Sequence, residues 1–210
     1  MFKTILFDLD GTILNTAEGI TEGVRIALEG KGLPPLPYEI RKMFIGPPLR
    51  DSFQKYCGVD AELAEELLAD YRVFYGTEGL HLARPYDGIE NILKKLKEGG
   101  KELFIATSKP TGYSEIMLDE WGLSGYFKEI VGAGMGKSMD AKDKIIAYCL
   151  SKAESKEAIM VGDTVYDVIG AHKNNIPAVG VLYGFGDHKE LRASKPLYIA
   201  ETVEELGGIL

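Results

Sequence analysis

The chain has 210 residues, of which 45% are hydrophobic and 27% are charged, and its formal net charge is −8. This length suits one domain or a domain with an insert, and the negative charge disfavours nucleic acid as a partner, because such binding relies on Lys and Arg. No apolar run approaches the roughly 20 residues that span a bilayer, and the first residues lack the pattern of a signal peptide. We therefore expect a cytoplasmic protein whose partner is neither a nucleic acid nor a membrane.

The first predicted element is a short buried strand, and a long helical region follows it. The run Thr4–Phe7 is typical of a buried strand. From residue 15 to residue 86 the patterns predict helices and no convincing strand. Ile20, Val24 and Leu28 recur with the spacing of one helix face, and a second helix is predicted to begin near Asp60. We therefore predict an inserted helical cap domain over residues 15–86.

Beyond the insert, apolar runs alternate with helical patterns. Ile89, Ile92 and Leu96 mark a buried helix face, and Gly99 and Gly100 end that helix. Strand–helix alternation predicts an α/β fold with a doubly wound parallel sheet, a Rossmann-like core made of residues 1–14 and 87–210. The strands predicted in this part of the chain are Leu103–Ala106, Ile159–Val161, Ala178–Leu182 and Tyr198–Ala200.

Two pairs of acids follow two of these strands. Asp8 and Asp10 come directly after the first strand, and alternation along the chain places both carboxylates on one side. Asp163 and Asp167 follow the strand Ile159–Val161, although Asp163 as a helix N-cap and Asp167 as a solvated acid remain open alternatives. Four carboxylates at the ends of core strands repel one another unless a hard cation is present. Oxygen-only ligands of this kind suit Mg²⁺.

Hydroxyl groups and a lysine complete the candidate site. Thr107 and Ser108 follow the strand Leu103–Ala106, where they could hold a phosphate or cap the next helix. Lys142 directly precedes a predicted helix over residues 145–150, where it could neutralise a phosphoryl group or lie in solvent. Each of these two signals is weak when taken alone.

Taken in order, these motifs resemble those of the haloacid dehalogenase superfamily: Asp8-Leu-Asp10-Gly-Thr, Thr107-Ser108, Lys142, and Gly-Asp163 with Asp167. The resemblance covers essentially the whole chain. The helical insert after the first motif is similar to that of the phosphoglycolate-phosphatase-like and 5'-nucleotidase-like branch. The segment Phe44–Leu49 resembles a cap segment of phosphatases and nucleotidases in this branch.

The resemblance implies a phosphatase that acts on a small phosphorylated metabolite and has a role for each motif. Asp8 is implied to be the nucleophile, and Asp10 the group that protonates the leaving oxygen and later activates water. The phosphoryl oxygens are implied to be bound by Thr107, by the Ser108 backbone and by Lys142. Mg²⁺ is implied to be held by Asp8, the Asp10 carbonyl and Asp163, with Asp167 in support.

The lysine motif departs from the family pattern, because many relatives have a proline-rich stretch after the lysine and this chain has none there. Lys142 fits best, since it directly precedes the predicted helix, and Lys137 is the substitute.

Other functions remain possible on the same core. A sugar phosphomutase uses the same nucleophile, and a non-catalytic binding protein could keep the scaffold. Dehalogenases of the family lack the second acid of the first motif, so Asp10 argues against them. Phosphoglycolate and a nucleoside 5'-monophosphate are both plausible substrates.

Substrate selectivity is expected to lie in the cap. Phe44 and Arg50 are candidate specificity residues beside the Gly46-Pro47-Pro48 turn, and Arg50 suits an anionic group. The alternative is that Phe44 belongs to the core of the cap and that Arg50 is solvated.

Overall fold

A computed structural model describes residues 2–134 and 141–210. The chain divides into two compact units, one made of residues 1–15 and 85–210 and the other of Thr16–Arg84. These limits differ by one or two residues from the predicted domain boundaries. Among the described residues, no helix combines the length and the apolar character that crossing a bilayer requires.

The described residues of the first unit are built around a parallel sheet of six strands, in the order β5-β4-β1-β6-β7-β8. Thr4 on β1 lies opposite Glu102 on β4 and Ala158 on β6, so the first strand has its neighbours far along the chain. β2 and β3 form a separate two-stranded sheet. In chain order the strands are β1 (Thr4–Phe7), β2 (Leu14–Asn15), β3 (Arg84–Pro85), β4 (Glu102–Pro110), β5 (Glu129–Ala133), β6 (Ala158–Gly162), β7 (Ala178–Val181) and β8 (Tyr198–Ala200).

Helices flank this sheet and make up most of the second unit. Strands β1 and β6 are buried along their whole length, as expected for a parallel sheet covered on both faces. The second unit contains α1 to α4 and a 3₁₀ turn at Gly79–Leu82. In chain order the helices are α1 (Ala17–Gly30), α2 (Tyr38–Lys42), α3 (Leu49–Cys57), α4 (Ala61–Thr77), α5 (Ile89–Glu98), α6 (Thr111–Glu120), α7 (Lys142–Lys152), α8 (Val165–Lys173), α9 (His188–Ala193) and α10 (Val203–Ile209).

The predicted fold class is confirmed, with three local differences. β5 was not predicted, because its Glu129 start and its half-buried pattern do not form a continuous apolar run. β4 continues to Pro110, although its apolar character ends at Ala106. Helix α7 begins at Lys142 itself, so the lysine is the first helical residue and does not precede the helix.

Candidate active site

Asp8 and Asp10 lie where β1 ends, at the carboxyl edge of the sheet. The N–H of Asp8 donates to the carbonyl of Val161 on β6 at 2.8 Å, and Asp8 is 7% exposed. Gly11 then turns the chain with φ of +78°, and a β-carbon at this position would lie 2.1 Å from Oδ2 of Asp163. Only glycine tolerates both the conformation and the close approach. The loop of the first acid pair therefore packs directly against the second pair.

Lys142 connects the two acid pairs. Its Nζ lies 2.8 Å from Oδ1 of Asp8 and 2.8 Å from Oδ1 of Asp167, and it donates to the carbonyl of Ala106 at 3.0 Å. Burial lowers the pKa of Lys142, but the carboxylates of Asp167 and Asp8 outweigh burial, and the net pKa lies above its ordinary value. The buried lysine is therefore protonated at neutral pH, and the solvated alternative is wrong.

Asp167 is fully buried, so the alternative of a solvated first-turn acid is also wrong. Its Oδ2 accepts hydrogen bonds from the N–H of Thr164 at 3.0 Å and from the Thr164 hydroxyl at 2.7 Å, in a capping box that begins α8. A β-carbon on Gly162 would lie 2.2 Å from Cγ of Asp167. Because one oxygen faces Thr164 and the other faces Lys142, Asp167 couples the start of α8 to the lysine.

Asp163 is a buried carboxylate that forms no ion pair with the residues that the structure describes. Its Oδ2 accepts the N–H of Phe185 at 2.7 Å, whereas its Oδ1 has no hydrogen-bond partner within residues 2–134 and 141–210. Burial, followed by the charges of Asp8 and Asp167, raises the pKa of Asp163 well above its usual range. Thr164, and not Asp163, occupies the N-cap position of α8. Some other cationic partner is therefore needed to stabilise Asp163 in its charged form.

A metal ion fits this arrangement. Oxygen atoms of Asp8, Asp163 and Asp167 lie within 4.8 Å of one another. The unpaired Oδ1 of Asp163 and the oxygen-only ligand set are the features that a hard divalent cation such as Mg²⁺ requires.

Thr107 and Ser108 occupy the last part of β4, where its register with β5 shifts. Thr107 is 1% exposed, and its Oγ1 accepts the N–H of Lys109 at 3.2 Å, whereas Ser108 is exposed. Neither residue caps the next helix, because Pro110 occupies the N-cap position of α6. Both residues therefore lie at the same edge of the sheet as Asp8. Lys142 contacts the carbonyl of Ala106 at this edge.

Lys109 is a second buried lysine in this region, and the sequence reasoning missed it. Its side chain is 6% exposed, and its Nζ lies 3.1 Å from Oδ2 of Asp10. Gly132 on β5 approaches so closely that a β-carbon there would lie 2.2 Å from the Lys109 carbonyl oxygen, which fixes the backbone at this point. The sequence feature that could have indicated Lys109 is its position directly after two hydroxyl residues at the end of a strand.

The cap residues lie in the second unit. Phe44 is 1% exposed, and its ring centroid lies 5.1 Å from that of Phe53 and 5.6 Å from that of Tyr56. It belongs to the core of this unit, so the expectation that its ring meets a substrate is corrected to the core alternative. Arg50 is about half exposed and forms an ion pair with Glu65. Lys137, the substitute for Lys142, lies outside the described residues.

The fold and the site together define a parallel α/β core with a buried acid cluster and a paired lysine. A family model described as haloacid dehalogenase-like hydrolase matches residues 5–181. A 5'-nucleotidase of Pseudomonas aeruginosa is 34% identical over 100% of this chain and 96% of its own length. A phosphoglycolate phosphatase of Caulobacter vibrioides is 30% identical over 99% of this chain and 85% of its own length.

A solved structure described as a predicted phosphatase from Clostridium acetobutylicum is 40% identical, covers 100% of this chain and 98% of its own, and superimposes with a TM-score of 0.91. The chain belongs to the haloacid dehalogenase-like hydrolase family. The predicted family is thereby confirmed, and the phosphatase names among its relatives bear out the prediction of a phosphatase.

Proposed function

We propose that this protein is a Mg²⁺-dependent phosphatase that hydrolyses a small phosphate monoester through a phosphoryl intermediate on Asp8. The observation that carries the proposal is the contact of Lys142 with both Asp8 and Asp167, beside an Asp163 carboxylate with an unpaired oxygen. In this arrangement Lys142 neutralises the nucleophile, and an oxygen of Asp163 remains to bind a cation.

The first step forms an acyl phosphate. A carboxylate oxygen of Asp8 attacks the phosphorus, and the bond from phosphorus to the leaving oxygen breaks. Asp10 gives its proton to that oxygen. Such a covalent intermediate divides one difficult displacement into two easier ones. Asp8 supports this role because it lies at the carboxyl edge of the sheet with Lys142 at 2.8 Å.

The second step releases inorganic phosphate. Asp10, now ionised, takes a proton from water, the water oxygen attacks the phosphorus, and the bond to Asp8 breaks. Positioned acid–base groups of this kind contribute about 10²–10⁴-fold to the rate. Asp10 is suited to the exchange because it lies two residues from Asp8 on the same loop.

The remaining residues bind charge. Lys142, the Thr107 hydroxyl and the Ser108 backbone would hold the phosphoryl oxygens. Asp8, Asp163 and the Asp10 carbonyl would hold Mg²⁺, and Asp167 would support them by fixing Lys142. When bound, the ion neutralises negative charge on the nucleophile and the phosphoryl group.

The substrate class is a small phosphorylated metabolite, either phosphoglycolate or a nucleoside 5'-monophosphate. The names of the Pseudomonas and Caulobacter relatives support one each. A screen of purified protein against both, together with sugar phosphates, identifies the class. A sugar phosphomutase would return the phosphoryl group to a sugar and would release no stoichiometric inorganic phosphate.

The proposal is tested with p-nitrophenyl phosphate. We expect turnover with Mg²⁺, loss on exhaustive chelation, recovery on adding Mg²⁺ back, and no turnover by Asp8→Asn, whose amide is a poor nucleophile of nearly the same shape. Full activity after chelation would contradict the metal assignment, and near-normal rates in Asp8→Asn would contradict covalent catalysis at this residue. A protein that binds phosphate esters without turnover would instead be a binding protein on this scaffold.

A further inference from the structure

The loop between β7 and α9, residues 182–187, lies beside the candidate active site, and we call it the β7 loop. Gly162 on β6 lies opposite Gly180 on β7, so the chain leaves these two strands at adjacent positions of the same sheet edge. The hydroxyl of Tyr183 donates to the carbonyl of Thr12 at 3.1 Å. The β7 loop therefore also reaches the segment that follows the first acid pair.

Two glycines bring the backbone of the β7 loop against Asp163. A β-carbon on Gly184 would lie 2.3 Å from Cβ of Asp163 and 2.5 Å from the carbonyl oxygen of Gly11. A β-carbon on Gly186 would lie 2.0 Å from the carbonyl oxygen of Asp163. Neither Gly184 nor Gly186 has a φ in the left-handed region, so the close approach alone accounts for glycine at both positions. The β7 loop thus packs directly between the two acid pairs.

Phe185, between these glycines, makes the two carboxylate oxygens of Asp163 unequal. Its N–H donates to Oδ2 at 2.7 Å, whereas Oδ1 is buried and has no hydrogen-bond partner in the part of the chain that the structure describes. Oxygen atoms of Asp8 and Asp167 lie within 4.8 Å of a carboxylate oxygen of Asp163. A carboxylate with one oxygen held in this way has one oxygen left for a cation.

This inequality matters for the kind of cation. Mg²⁺ demands near-ideal octahedral geometry and is usually bound by one or two carboxylates, whereas Ca²⁺ takes about 6–8 oxygen atoms in looser geometry and accepts both oxygens of one carboxylate. A carboxylate that is limited to one oxygen therefore suits the smaller ion.

We propose that the β7 loop is a positioning element for Asp163: the Phe185 N–H holds Oδ2, so that the carboxylate offers Oδ1 alone and favours Mg²⁺ over Ca²⁺. This inference rests on the metal site of the proposed function. The β7 loop acts through Asp163 and takes no part in phosphoryl transfer. Loss of a group that hydrogen-bonds to a metal ligand typically lowers metal affinity by about 10–100-fold.

Three substitutions in the β7 loop test this role. Gly184→Ala adds a methyl group that must displace Asp163 or the loop. Phe185→Pro and Phe185→Ala both remove the ring, but only Phe185→Pro also removes the N–H donor. The matched control is Gly180→Ala on β7, whose β-carbon would meet Leu191 and Ile199 at 3.1–3.2 Å and not the acid pairs.

The measurement is the melting temperature of chelator-treated protein as Mg²⁺ or Ca²⁺ is added, since a ligand of the folded state stabilises it according to its Kd. We expect Gly184→Ala and Phe185→Pro to raise the Kd for Mg²⁺ by about 10–100-fold and the Kd for Ca²⁺ by less, so that the preference for Mg²⁺ falls. Phe185→Ala should raise the Kd for Mg²⁺ less than Phe185→Pro. Gly180→Ala should leave both Kd values unchanged, whatever it does to the melting temperature without metal.

Unchanged Mg²⁺ affinity in Gly184→Ala and Phe185→Pro, or equal losses for the two ions, would overturn the role of the β7 loop alone. The wild-type protein supplies a test that depends on no variant: Ca²⁺ binding as tight as Mg²⁺ binding would also overturn it. A wild-type melting temperature that responds to neither ion, together with turnover that survives chelation, would overturn the metal site of the proposed function and this role with it.

Discussion

Lys142 contacts an acid from each of the two pairs. The sequence alone did not decide between Lys142 and Lys137 as the lysine of the site. The Nζ group contacts Asp8, Asp167 and the Ala106 carbonyl, so its removal leaves two buried carboxylates without their cation. We expect Lys142→Ala to lower kcat/KM by about 10²–10³-fold, the scale found for the loss of one charge-stabilising group in an active site.

Two control lysines accompany this measurement. Lys144 lies on the same helix two residues further on and is exposed, so Lys144→Ala should keep wild-type kinetics. Lys137→Ala tests the alternative directly. An inactive Lys137→Ala together with an active Lys142→Ala would show that the lysine motif has been assigned to the wrong residue.

Asp163 links metal binding to stability and pH. In the metal-free protein its pKa lies well above the ordinary value of 3.8, because burial and the charges of Asp8 and Asp167 disfavour ionisation. Above that ordinary value the unfolded chain has lost a proton that the folded protein still holds. The contribution of Asp163 to the free energy of unfolding therefore falls as pH rises from about 4 through the raised pKa.

Asp163→Asn removes this titration while its amide oxygen can still accept the N–H of Phe185. In the presence of a chelator we expect the variant to melt higher than wild type at neutral pH, with the difference vanishing near pH 4, although catalysis is lost. Each kcal/mol corresponds to about 2–4 °C for a chain of this size. The exposed Asp187→Asn should show no such gain, since backbone N–H donors lower the pKa of Asp187. A metal-free Asp163→Asn that melts lower throughout would contradict this account.

Site residues could be predicted where they directly follow an apolar strand, as Asp8 and Asp163 do. The carboxyl ends of parallel strands lie at one edge of the sheet, so residues that follow such strands come close together. Lys109 was not predicted, because it lies within a strand that continues past its apolar part. Phe44 was misassigned because an aromatic residue beside a Gly-Pro turn gives no sign of which way its ring packs.

At the scale of elements, strands that consist of a short apolar run could be predicted closely, whereas β5 could not be predicted. β1 in the middle of the sheet and β8 at one edge match their predicted limits. β5 lies at the opposite edge, and its two leading residues, Glu129 and Ile130, are only half buried. A strand that begins with a half-buried charged residue leaves too weak a pattern to detect.

The end of β6 depends on a glycine that makes room for a carboxylate. A methyl group at Gly162 would meet the Asp167 side chain, which is held by Thr164 and Lys142. We expect Gly162→Ala to displace Asp167, lower the melting temperature and lower kcat/KM by at least about tenfold, because small misplacements in an active site are costly.

Gly112 provides the matched control for that substitution. It lies on α6, and a β-carbon there meets no atom within 4 Å. Gly112→Ala should leave activity unchanged and should stabilise the helix by about 0.5–1 kcal/mol. Equal behaviour of the two alanine variants in activity and melting temperature would argue against a role for the close approach at Gly162.

At the scale of the whole molecule, the acids, hydroxyls and lysines of the site all belong to the first unit, and we propose that the second unit, Thr16–Arg84, selects the substrate. Phe44→Ala cannot test this, because emptying a buried aromatic site costs about 3–5 kcal/mol and would destabilise the unit. Exchange of the whole segment avoids that problem.

We expect a chimera carrying the corresponding segment of the Pseudomonas aeruginosa 5'-nucleotidase to acquire that enzyme's relative kcat/KM values across a panel of phosphate monoesters. Turnover of p-nitrophenyl phosphate should change less, because the chemistry stays in the first unit. The reciprocal chimera serves as the control. Selectivity that follows the first unit in both chimeras would place substrate choice in the α/β core.

β1 pairs with two strands that lie far along the chain, so the sheet of this enzyme can form only late in its synthesis. Thr4 is made early, yet its two partners, Glu102 and Ala158, leave the ribosome much later. At about 5–20 residues per second, Asp8 waits on the order of ten seconds or more for Asp163. The second unit, by contrast, is one contiguous stretch that is complete before β4 is made. A chain released before Asp163 would carry Asp8 and lack the acid that completes the cluster, so under the proposed mechanism we expect such a fragment to be inactive.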